Sequence, residues 1–201
     1  MRLLTLSLFL LLLATHTTDA QQQRLRVLDF SGDLQALLTQ LPSGTGITIG
    51  FEPDPGRPRG SVTVRVDDGT MDQIMEAVVK ASPNYYLLKH DNTFNVIPKE
   101  RACPLLDVRI SSLNLQGVQS NEAITQLLAL ETVRNAMSQL SVRFVPIVQS
   151  STFGGKAFSL NLTDLTFREA LNQIATSSDL RFWMFEQKGT EIFSIRFVST
   201  K

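Results

Sequence analysis

The apolar positions of "FSLNLTDLTFREALNQIA" (Phe158–Ala175) change period midway. Phe158, Leu160 and Leu162 alternate with polar residues, which predicts a strand with one buried face. Phe167, Ala170, Leu171, Ile174 and Ala175 then recur at the three- and four-residue spacing of a helix with a single apolar side. The same switch occurs in "VTVRVDDGTMDQIMEAVV" (Val62–Val79), where Val62, Val64 and Val66 precede Met71, Ile74, Met75, Val78 and Val79. The two stretches superpose without a gap at an offset of 96 residues, placing Thr70 on Thr166 and Asp68 on Asp164. Thr70 with Gln73, and Thr166 with Glu169, have the form of a capping box, in which the two side chains satisfy free backbone N–H groups at a helix start.

The pattern recurs twice more. "LNLQGVQSNEAITQLL" (Leu113–Leu128) lies over "LNLTDLTFREALNQIA" at an offset of 47 residues and predicts a helix running from Asn121 to Leu140. In "VLDFSGDLQALLTQL", Ser31 is the expected cap of a helix whose face is Leu34, Leu37, Leu38 and Leu41, ended by "PSGTG". Strands follow the four helices at "GITIGF", "YYLLKH", "SVRFVPIV" and "LRFWMFEQ", and "TFNVIP" and "EIFSIRFV" close each half. The expected fold class is α+β, as two tandem β-α-β-β-α-β-β units, each with two helices packed on small mixed sheets. The first unit spans residues 25–100, the second 105–198, and "RACP" at 101–104 reads as a linker.

Ahead of these units, Arg2, the apolar run Leu3–Leu13 and a polar stretch ending at Ala20 have the layout of a cleavable secretory signal, followed by a short tail over residues 21–24. The run is shorter than the roughly 20 apolar residues of a membrane span, and nothing downstream supplies one, so no span is expected after cleavage. The chain has 19 basic and 19 acidic residues, and the leader removes Arg2 and Asp19, one of each sign. A neutral mature chain offers no basic field for nucleic acid. Cys103 is the only cysteine, so an exported chain must rely on its hydrophobic core without an internal disulfide.

The order of elements, together with "LDFSGDLQALLTQLPSGTGITIGFEPD" and "SVTVRVDDGTMDQIMEAVVKASPNYYLLKHDNTFNVIP", resembles the short N-terminal (STN) domain of secretins and TonB-dependent receptors. The resemblance covers Leu25 to about Lys99, and Leu105–Val198 is similar to a second, divergent copy with a longer first helix and the insertion "QSSTFGGKAF". It implies a periplasmic, non-catalytic module that binds other proteins: a secretin, an outer-membrane receptor or a regulator. No channel or barrel sequence follows the second unit, so the expectation is a module exported on its own.

Catalytic alternatives find little support in the residues. His90 is the single histidine outside the leader and sits in "KHDNT", a turn by pattern, where a solvated side chain is expected. One histidine and one cysteine do not make a zinc site. "FGGKAF" lacks the spacing of a phosphate loop, and "NLT" at Asn161 falls within a core-patterned strand. No catalytic residue, cofactor or metal is expected.

The aromatic strands carry the remaining signal. In "LRFWMFEQ", Leu180, Phe182 and Met184 alternate with Trp183 and Phe185, and in "YYLLKH" Tyr86 and Leu88 alternate with Tyr85 and Leu87, so both faces of both strands are apolar. Burial on both sides, between the strand's own helices and the neighbouring unit, is the plainer reading. The alternative is a protein-binding patch anchored by Tyr85, Tyr86, Trp183 and Phe185, since such residues anchor interfaces. Two rival functions remain: an envelope enzyme or carbohydrate-binding protein using a cleft between the units, and a structural subunit assembling through sheet edges.

Overall fold

The computed structural model describes residues 24–57, 60–145, 156–189 and 191–198. The expected leader, and the chain from 146 to 155, which holds the end of "SVRFVPIV" and most of the insertion, lie outside the described residues. The first half runs β1 (Arg24–Asp33), α1 (Leu34–Gln40), β2 (Thr48–Phe51), β3 (Ser61–Thr70), α2 (Met71–Ala81), β4 (Tyr85–His90) and β5 (Thr93–Pro98). After a 3-10 turn at Pro104–Asp107, the second half runs β6 (Arg109–Val118), α3 (Ser120–Ala129), α4 (Glu131–Gln139), β7 (Arg143–Phe144), β8 (Phe158–Thr166), α5 (Phe167–Ser177), β9 (Phe182–Lys188) and β10 (Ile192–Val198). The fold is α+β, and the second half repeats the order of the first with one extra helix, α4.

Both capping boxes form. The Thr70 hydroxyl accepts from the Gln73 N–H while the Thr70 N–H donates to Gln73 Oε1, and Thr166 and Glu169 repeat the arrangement. The superposed pair Asp68 and Asp164 also share a backbone state, with φ of 51° and 48°. Each lies within its strand two residues before the cap, in a left-handed conformation that aspartate tolerates better than most residues.

Two local expectations change. Asp33, not Ser31, caps α1 by accepting from the Ala36 N–H at 3.0 Å. Pairing of β1 with β3 extends to Asp33↔Ser61, so Ser31 stays in the strand beside Thr63 and the chain is free to turn only two residues later. The helix expected over 121–140 is broken at Leu130, whose ψ of 135° is extended. Leu127 and Val133 are both buried. On one straight helix they would point about 120° apart, so the break lets both reach the same core.

The sheets join the two halves. Ribbons β1–β3 and β6–β8 stand apart, but the remaining strands form one six-stranded sheet in the order β4-β5-β2-β9-β10-β7. The halves meet where β2 pairs with β9 in parallel, through Ile49↔Phe182, Gly50↔Trp183 and Phe51↔Met184. Phe182 and Met184 pack with α1, α2, Ile49 and Phe51 in the first core, whereas Trp183 and Phe185 pack with α3, α5 and β10 in the second. Because successive side chains leave a strand on opposite sides, the two helical layers cover opposite faces of a shared sheet, and β9 belongs to both cores.

Residues 101–104 are correspondingly not a loose linker. Cys103 is buried, its N–H donates to Glu52 Oε2 at 3.3 Å, and Leu105 and Leu106 enter the second core. No helix among the described residues is long and apolar enough to cross a membrane.

Candidate functional site

The joint between the halves uses alternate residues of β2 and the position just after it, Thr48, Gly50 and Glu52, and every fourth residue of α5. The Thr48 and Thr176 hydroxyls lie 2.7 Å apart, Glu52 pairs with Arg168, and Arg168 Nη2 reaches Asp107 Oδ1 at 3.2 Å. Between these polar contacts, Trp183 covers Gly50 so closely that a Cβ there would lie 2.4 Å from the indole Cζ2. The indole N–H donates to Asn172 Oδ1 at 2.7 Å. This places Trp183 and Phe185 in the interior, at 0% and 2% exposure, and withdraws both from the proposed surface patch. Tyr85 is half-buried against Phe51, its hydroxyl accepting from the Asp54 N–H at 3.0 Å, and burial pushes its pKa up.

Tyr86 is different: it is 41% exposed, and its neighbour Leu88, which the sequence reading left out of the patch, is 48% exposed. Both project from the sheet face that carries their partners Ile97 and Asn95, the side on which α5 lies over β2. Strand β4 is the outermost strand of the sheet. In the antiparallel ladder the Lys99 N–H donates to the Asn84 carbonyl, and hydrogen-bonded pairs alternate from there. Leu87 and Lys89 therefore turn their main-chain N–H and C=O groups to the open edge. The Lys89 side chain does not shield that edge, since it folds back onto both carboxylate oxygens of Asp72 and lies 5.5 Å from the Phe94 ring.

Some other edges among the described residues are less inviting. The outward positions of the ribbons are polar, with Thr63, Arg65 and Asp67 on β3 and Arg109, Asn114 and Gln116 on β6. Strand β7, at the far end of the large sheet, pairs with β10 among the described residues through Arg143 and Phe144. Short or charged edges resist pairing with another chain, whereas a six-residue strand bearing apolar side chains invites it.

Beside the sheet face of β4 lies a cleft of about 610 Å³, lined among others by His90, Asn92, Thr163, Asn172, Gln173 and Arg181. His90 is a solvated side chain at its rim, 3.6 Å from Asp91. The carboxylates nearby are already engaged, Asp164 with Arg109 and Glu169 in the α5 cap. Among the described residues no group of histidine, cysteine and carboxylate side chains could hold a metal ion. The Cys103 thiol is buried, which pushes its pKa up and suppresses the thiolate. No family model matches the chain, and neither a curated protein nor a solved structure matches it.

Proposed function

We propose that this chain is a non-catalytic, exported protein-binding module of the cell envelope, and that it captures its partner by main-chain pairing along β4. The observation that carries the reading is the exposure of Tyr86 and Leu88 on the unguarded outer strand of the large sheet. Exposed edges of this kind gain affinity from the backbone and selectivity from alternate side chains. The resemblance to STN domains points the same way, toward a secretin, an outer-membrane receptor or a regulator as partner, and the leader pattern toward the periplasm.

The test is capture from envelope extracts followed by reconstitution with the purified partner. Leu88→Lys should weaken binding of that partner at least about tenfold, whereas Thr63→Lys, an exposed site on the guarded ribbon, should leave it unchanged. Equal binding by both variants excludes the β4 edge. A second reading rests on the cleft, whose amides and hydroxyls suit a carbohydrate; loss of glycan binding in Gln173→Ala with β4 intact would favour it.

A further inference from the structure

Strands β4 and β9 are equivalents. Each follows the second repeat helix of its half, each pairs antiparallel with the next strand, and Tyr85 and Leu87 face the first core as Trp183 and Phe185 face the second. Their positions in the sheet differ: β4 is an edge, but β9 has already accepted a strand. That strand, β2, runs parallel to β9 from an Ile49 N–H that donates to the Arg181 carbonyl at 2.9 Å, and it sets Ile49 and Phe51 beside Phe182 and Met184. Aligning Tyr85 with Trp183 puts Tyr86 on Met184. The molecule thus contains a filled copy of the site that β4 leaves open, and the exposed Tyr86 is the counterpart of a side chain buried by the incoming strand.

We propose that β4 takes its partner as β9 takes β2: an extended segment from another protein, parallel to β4, with apolar side chains on alternate residues lying beside Tyr86 and Leu88. This rests on the edge reading above and adds direction and chemistry to it. A second copy of the chain is a poor donor. Its strand equivalent to β2 is β7, whose register on β10 puts Val145 where the joint has Gly50 and admits no Cβ.

The experiment uses isotope-labelled mature chain and a synthetic peptide of the strand that β9 accepts, residues 46–52 (GITIGFE), carrying a nitroxide at one end or the other. Amide shifts should concentrate at Leu87 and Lys89. An N-terminal nitroxide should broaden Asn84 and Tyr85, a C-terminal one Lys89 and His90, and Leu88→Lys should raise the peptide Kd about tenfold. The reverse broadening pattern means an antiparallel strand and overturns the inference while leaving the edge reading in place. Shifts at β9 would report displacement of β2, and absence of shifts at millimolar peptide would report no such site; either overturns it, and the edge reading then stands or falls on Leu88→Lys with the captured partner. Protection of β4 by concentration-dependent dimerisation without peptide would replace the partner segment with a second copy.

Discussion

Arg168 of α5 and Glu52, the residue after β2, form an ion pair whose side chains are only 4% and 3% exposed, and it ties the second half to the first. Burial lowers the guanidinium to about 10, still well above neutral, so Arg168 is charged at physiological pH. Removing one partner of a buried pair strands the other charge in the interior. Arg168→Met or Glu52→Leu should each cost about 3–5 kcal/mol in chemical denaturation, and the double replacement distinctly less than their sum. Additive losses would mean that the two groups do not interact.

Gly50 gives a sharper test of the joint. With Trp183 and Asn95 both 2.4 Å from where a Cβ would sit, Gly50→Ala forces the central strands apart and should destabilise the whole chain by several kcal/mol. Gly44, which has nothing within 4 Å of its Cβ position but a φ of 68°, should cost about 1 kcal/mol on replacement by alanine. Equal losses at the two sites would show that the contact with Trp183 is absent.

Sharing β9 predicts cooperativity. The full chain should melt in one transition seen identically by far-ultraviolet circular dichroism and by Trp183 fluorescence, and residues 104–201 alone should lack a cooperative transition, because Phe182 and Met184 lose their first-core neighbours. Two separated transitions in the full chain would restore the picture of independent units.

Cys103 should be nearly inert. Burial raises its pKa above the ordinary thiol value, so at neutral pH alkylation by iodoacetamide should be much slower in the native chain than in denaturant. The sign also sets a stability trend: as pH rises through the ordinary thiol range the unfolded chain ionises first, and stability falls. Fast native labelling would show that the segment around Cys103 opens readily.

The parts of this fold legible in the sequence are those with local causes. The caps at Thr70 and Thr166 follow from side chains three residues apart, and the strands before them from simple alternation. The joint is not local: Gly50 and Trp183 are far apart in the chain, and its traces are a glycine within an apolar strand and a strand apolar on both faces. The same ambiguity governs the candidate site. "YYLLKH" and "LRFWMFEQ" carry like patterns, and their places in the sheet decide that Tyr86 meets solvent while Met184 is enclosed.

A strand that serves two cores also changes what damage means for this molecule. A nick or truncation that removes β2 is not a local injury, because it turns β9 from the middle of the sheet into a new border carrying Phe182 and Met184. Greasy borders of that kind recruit other chains, so a fragment of the second half should be cleared or aggregate rather than persist as a smaller working protein.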